Sequence, residues 1–235
     1  METFSNLSIK SDDKDKLVKV VQNLSKFTSM YIKNINPSLS QGLIALSDLS
    51  RDSRKLFNLF RSLKELNEIQ KTMIENNKYK TLSLADIILK ISKFFFYLFD
   101  NLSLLSALKV LPFSKSATGL IGNMFYLSIT VCNLCKSLYQ LYILLEEKEQ
   151  KEKNMIDNSE ISINERPKEI KELNYKIVIE FVDITGKIGD LLSALNSSGV
   201  FQFVFGRKIK DGVVAFGGVW AGLVALFQAL KKQQK

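Results

Sequence analysis

The chain contains no histidine. That removes Ser-His-Asp triads, the usual general base near neutral pH and the commonest zinc ligand. Cysteine is nearly as scarce: Cys132 and Cys135 stand alone, too few for a disulfide framework or a four-cysteine metal site. Their CxxC spacing lies inside an apolar run with no second pair, so they are expected to be buried structural thiols. The string Thr185-Gly186-Lys187 has Phe181 where a phosphate loop needs its first glycine, and the acidic pairs sit in a charged stretch with no recognisable pocket. No catalytic residue, metal or cofactor is expected, and no enzymatic role. Three prolines and eleven glycines in 235 residues leave little to interrupt helices. The run VFQFVF at 200–205 is the one stretch resembling a strand, and flanking helices could equally absorb it. The opening METFSNLSIKSDDKDK lacks an apolar core followed by a small-residue cleavage site, so no cleaved secretory signal is expected.

What the chain does have is positive charge: 33 Lys and Arg against 24 Asp and Glu, a net +9. The preferred partner is therefore a negatively charged surface, nucleic acid or anionic membrane. Phe94, Phe95 and Phe96 lie in apolar runs and do not alternate with basic residues, which argues against nucleic acid. Mean hydropathy is close to neutral at +0.03, but the average hides two windows without a single charge, 116–135 and 212–230. Each meets the length of about 20 residues that a helix needs to cross a hydrocarbon core.

Apolar residues at 17, 20, 21, 24, 27 and 31 have helical spacing, with Lys19, Lys26 and Lys33 on another face, which predicts a basic amphipathic helix over 16–33. Pro37 ends that unit, and a second helix is expected over 39–48. From residue 51, Leu56, Phe60, Leu63 and Leu66 or Asn67 repeat at three and four, while Lys55, Asn58, Arg61, Ser62 and Glu65 face away. This basic amphipathic segment, 51–69, either packs on the protein's own bundle or enters anionic lipid. Residues 82–111 are apolar but carry Asp86, Lys90, Lys93 and Asp100 within an arc of about 80° at 100° per residue. Charges near a helix centre cost about 2.5–3.5 kcal/mol each on insertion, against about 0.3–0.6 returned per Leu, Ile or Phe. The segment is therefore expected to lie in the interface or to pack its stripe inside a bundle. Gly119, Asn123, Tyr126, Thr130 and Asn133 share a face of the first window, suited to close helix approach. Gly218 and Gly222 form a GxxxG within the second, a helix-packing and dimerisation candidate. Residues 146–172 read as a charged loop or linker with helical ends, and helical periodicity returns over 175–195.

These patterns predict an all-α, membrane-associated helical bundle with N-terminal amphipathic helices and about two membrane-spanning helices. The divisions are an amphipathic region at 1–81, an apolar helical hairpin at 82–145, a charged linker at 146–174 and a C-terminal helix and span at 175–235. Residues 1–81 hold 14 basic and 9 acidic residues and 146–180 hold 7 and 10. A positive-inside reading puts both termini in the cytosol and the linker on the other side.

Several strings in collinear order resemble the peroxin-11 family of peroxisomal membrane-elongation proteins. Asp15-Lys16-Leu17-Val18-Lys19-Val20-Val21-Gln22 is similar to that family's opening, with Asn23 where a tyrosine is usual. Ser53-Arg54-Lys55-Leu56-Phe57-Asn58-Leu59-Phe60-Arg61 resembles its Ser-Arg-Lys signature, with Asn58 in place of a basic residue and Phe60 in place of a glycine. Phe99-Asp100-Asn101-Leu102 resembles its aspartate-centred segment without the following tryptophan, 134–145 the helix before its acidic linker, and 190–230 its glycine-rich C-terminal segment. The resemblance implies a peroxisomal membrane protein that promotes elongation, proliferation and fission by homo-oligomerising and by inserting an amphipathic helix into one leaflet. It also implies recruitment of a tail-anchored fission adaptor and a dynamin-related GTPase. Arg54, Lys55, Leu56, Phe57, Phe60, Arg61, Leu63 and Lys64 are then the membrane-insertion set: Leu56, Phe57, Phe60 and Leu63 wedge into the cytosolic leaflet, while Lys55, Arg61 and Lys64 meet phospholipid phosphate. The alternative is a metabolite channel lined by Asp86, Lys90, Lys93 and Asp100.

Overall fold

The computed structural model describes residues 11–58, 61–75, 80–157 and 166–233. They form helices α1 Ser11–Ile32, α2 Pro37–Phe57, α3 Arg61–Glu75, α4 Lys80–Ala107, α5 Lys115–Asp157, α6 Arg166–Ser197, α7 Val200–Phe205 and α8 Asp211–Gln233. No strand occurs among the described residues. Pro37 sits in the first turn of α2, where a missing N–H is harmless, and the Asn36 side chain caps that turn by accepting from the Leu39 N–H at 3.0 Å. VFQFVF becomes the short helix α7, bounded by Gly199 and Gly206 at φ of 75° and 68°, where a side chain would be strained.

Two expected boundaries change. The amphipathic segment 51–69 is not one helix but the end of α2 and the start of α3, divided at Asn58. The Asn58 N–H reaches back to the carbonyls of Arg54 and Lys55, its carbonyl accepts from the Arg61 N–H at 3.0 Å, and its side-chain oxygen accepts from Arg61 Nη1 at 2.8 Å. A short amide side chain that bonds its local backbone and neighbours favours a helix end over a helix interior. The charged stretch is also largely helical, as α5 continues to Asp157 and α6 begins at Arg166. Glu147–Lys151 at 3.0 Å and Glu149–Lys153 at 2.6 Å are i,i+4 pairs in the favourable order. The middle of the expected linker, 158–165, lies outside the described residues.

Neighbouring helices pack in the order α3, α4, α5, α6, α8, α1, α2, and a narrow contact between α2 and α4 closes the ring. Contacts along the order show antiparallel neighbours: Lys90 with Glu68, Ser137 with Asp183, Asn123 with Ser197, Trp220 with Thr185, Phe27 with Phe216 and Ser40 with Ser29. Two helices, α5 and α8, are long and apolar enough to cross a membrane. They run in the same direction with α6 returning between them. The ends of α5 and α8 and the starts of α1 and α6 consequently share one end of the bundle, unlike the expected placement of the linker opposite the termini.

The interior of this bundle mixes aliphatic side chains, among them Leu89, Leu104, Leu144 and Leu173, with many small and hydroxyl-bearing ones. Among the buried residues are Ser25, Ser29, Ser40, Ser47, Ser50, Ser103, Thr130 and Ser137, and the apolar ones include Ala194, Ala215, Ala221 and Ala229. Many other large apolar side chains face outward. On α2, Ser47 is 6% exposed while Leu49 is 66% exposed, and Leu39, Leu46 and Leu56 share the outward face. On α1, Leu17, Val21 and Leu24 do the same. Small and hydroxyl-bearing interfaces with a greasy exterior suit helices whose surroundings are hydrocarbon, because there water provides no drive to bury leucine.

Glycine permits the closest approach, between α6 and α8, where a Cβ on Gly189 would run into the Gly217 backbone carbonyl. Gly189→Val should destabilise the protein by about 1–3 kcal/mol or more through overpacking against a backbone atom that cannot move aside. Gly42→Ala, in open space within α2, should be neutral or stabilise by up to about 1 kcal/mol. Thermal melts of the two variants in detergent, followed by circular dichroism, check both signs.

Candidate functional site

Asp15, Lys19 and Gln22 stand at i, i+4 and i+7, so they line one face of α1. Arg54 and Lys55 occupy the last turn of α2, where cations complement the helix dipole. The ring brings these faces together. Arg54 Nε donates to Asp15 Oδ1 at 2.8 Å, and its Nη1 donates to Gln22 Oε1 at 3.0 Å. Lys55 Nζ is 3.0 Å from Asp100 Oδ1 and 3.4 Å from Ser103 Oγ, both on α4. Lys19 pairs with Asp190 on α6, and Tyr126 on α5 lies against the same carboxylate. Asp15, Asp100 and Asp190 thus balance Lys19, Arg54 and Lys55 at a junction of five helices. All six side chains are less than one-third exposed. A partly buried charge is tolerable when paired and hydrogen-bonded, but removing one partner strands the other.

The expected insertion set is divided by this arrangement. Arg54 and Lys55 point into the bundle and hold carboxylates, so they do not face lipid phosphate in this conformation. Arg61 bonds Asn58 and lies over the Tyr97 ring, its guanidinium carbon 5.1 Å from the centroid. Lys64 is exposed, and Leu56 continues the outward apolar face of α2. Phe60 lies outside the described residues, as do the side-chain placements of Phe57 and Leu63.

The stripe on α4 faces neighbouring helices. Asp86 pairs with Lys136 of α5, Lys90 donates to the Glu68 carbonyl of α3 at 3.4 Å, Lys93 lies close enough to Glu65 to act on its charge, and Asp100 takes Lys55. Gly218 and Gly222 lie against Asn23 and Val20 of α1, so this GxxxG face packs within the chain. The network partners Asp15, Lys19, Gln22 and Asp190 carried no functional expectation from the sequence, although the spacing of the first three signals a shared face. Among the described residues no group of histidine, cysteine or carboxylates is placed to hold a metal.

The fold is an all-helical bundle with two helices long and apolar enough to cross a membrane, an extensive outward apolar surface and polar interhelical contacts. The family model described as Peroxisomal biogenesis factor 11 matches residues 1–230, and the chain belongs to that family. The Peroxisomal membrane protein 11 homolog of Dictyostelium discoideum is 19% identical, over 99% of this chain and 95% of that one. No solved structure matches the chain. Three strings that carry the family resemblance, around Asp15, Arg54-Lys55 and Asp100, are the strings that meet in the ion network.

Lys55→Met should destabilise the bundle by about 3–5 kcal/mol by leaving Asp100 unpaired, and the double variant Lys55→Met/Asp100→Leu should recover most of that loss. Equal damage in the single and double variants would contradict the pairing; chemical denaturation in detergent measures both. Glu65 supplies a test with pH. Burial, followed by the neighbouring Glu68, pushes its carboxyl above the ordinary 4.5 despite Lys93, Arg61 and Lys64. The folded protein thus binds this proton more readily than the unfolded chain, and the group's favourable contribution, full below pH 4.5, is lost as pH rises through the raised value. Glu65→Gln should therefore raise the melting temperature at neutral pH, with the difference closing on acidification below the ordinary carboxylate range.

Proposed function

We propose that the protein elongates the peroxisomal membrane and prepares it for fission by placing the apolar residues from Leu56, at the end of α2, to Leu63 in one leaflet. The observation that carries this reading is the outward row Leu39, Leu46, Leu49 and Leu56 on α2, backed by buried serines and continuous with a surface that includes two membrane-length helices. Membership of a peroxisomal biogenesis family supports the same reading. Volume added to one leaflet alone expands its area and bends the bilayer. Phe57, Phe60 and Leu63 follow the row in sequence and complete the proposed wedge, with Lys64 to meet headgroup phosphate, while Arg54 and Lys55 hold the helix to the bundle.

In this proposal the protein acts without a cofactor or chemical step and as a homo-oligomer, because a single wedge deforms only its own surroundings. The elongated membrane is then delivered to a tail-anchored fission adaptor and a dynamin-related GTPase. The channel alternative draws no comparable support, since Asp86 and Asp100 of the α4 stripe each meet a cation from another helix.

Replacing Phe57 and Phe60 together by Glu should abolish elongation of peroxisomes on overexpression while the protein still resists alkaline carbonate extraction. Undiminished elongation by that variant would remove the wedge from the mechanism.

A further inference from the structure

The end of the bundle opposite the termini brings together three connections. The Phe27–Phe216 ring contact at 6.1 Å sets the α1–α2 turn beside the approach to α8. The bond from Asn123 Nδ2 to the Ser197 carbonyl at 3.0 Å sets the first part of α5 beside the end of α6, from which α7 follows. These connections carry some of the most exposed large apolar side chains of the described residues: Phe203 at 91%, Ile35 at 83%, and Val110, Phe205 and Phe113 above half. Glycines in the left-handed conformation bracket α7, and the Phe201 and Phe205 rings pack with centroids 4.6 Å apart. The apolar tip is thus a built helix end and not a frayed loop.

Exposed cations surround this tip: Lys33, Lys109, Lys115, Arg207, Lys208 and Lys210. Across residues 30–40, 105–118 and 198–212 the opposing charge is Asp211 alone, which sits in the first turn of α8 and complements that helix's own dipole. Both membrane-length helices, α5 and α8, begin here, so a bilayer crossed by them has its headgroup plane at this end. Exposed apolar side chains interspersed with exposed cations at that end match an anionic phospholipid surface, where each Lys or Arg adds electrostatic attraction.

We propose that this tip is a second membrane contact, in which α7 and the α4–α5 turn insert among the headgroups and the six cations bind anionic phospholipid. The proposal rests on the membrane-embedded reading above and adds a lipid-class preference on the face opposite the chain termini. The tip lies at the opposite end of α2 from Leu56 and the residues that follow it.

The full-length protein, with Cys132 and Cys135 replaced by Ser, is labelled with an environment-sensitive fluorophore through Phe203→Cys or, separately, Leu223→Cys on α8. It is reconstituted into vesicles of phosphatidylcholine in which phosphatidylserine is progressively substituted. The label at 223 should report hydrocarbon at every composition. The label at 203 should move from a polar to an apolar environment as phosphatidylserine rises, and added salt should weaken the response. Arg207→Glu/Lys208→Glu/Lys210→Glu should raise the phosphatidylserine fraction giving half the response by at least about threefold. A label at 203 that stays in water while the label at 223 reports hydrocarbon overturns this proposal alone. Water at both positions overturns the membrane-embedded reading as well. A response that follows protein density and not phosphatidylserine would assign the tip to a second copy, and one reversed by single-stranded RNA would assign the cations to nucleic acid; each overturns the proposal.

Discussion

The ion network at the centre of the ring is the interaction on which the other packing depends. Lys19, Arg54 and Lys55 each hold a carboxylate on a different helix, so the α1–α2 hairpin is tied to α4 and α6 by charge and hydrogen bonding. In surroundings where leucine gains little by turning inward, such polar links set which helix meets which. Serine, alanine and glycine then bring the helices close. The closest instance is Gly189 against Gly217.

This constraint explains why the signature residues are not at the lipid surface. Arg54 and Lys55 lie next to Leu56 in sequence, yet successive residues in a helix are turned by 100°, and Leu56 looks outward while its two neighbours hold Asp15 and Asp100. One short string therefore joins two tasks: fastening the hairpin and presenting its apolar face. The break at Asn58 lets α3 follow α4 and bring Glu65 and Glu68 to the stripe, so charges that would oppose insertion of α4 alone meet partners inside the bundle.

Much of the architecture was legible in the residues, and the illegible part has a physical cause. Helical spacing marked the apolar face of α1, a second helix was expected within α2, and the two uncharged windows fall within α5 and α8. Periodicity shows which residues share a face but not whether that face looks inward or outward, because the solvent decides. The outward turn of Leu46 and Leu49 and the burial of Ser47 and Ser50 were hidden for that reason. Asp15 and Asp190 are 175 positions apart in number, and no local pattern connects them through Arg54 and Lys19. The helical character of 146–157 was masked by its charge, although Glu147–Lys151 and Glu149–Lys153 carry the favourable i,i+4 order.

The central claim is that α2 presents its leucines to lipid and its serines to the bundle. Single cysteines placed in turn at 46, 47, 49 and 50 of the otherwise cysteine-free protein, labelled and reconstituted into vesicles carrying a lipid-borne quencher, test it most directly. The account predicts strong quenching at 46 and 49 and weak quenching at 47 and 50. Equal quenching at all four positions, or the opposite alternation, would contradict it.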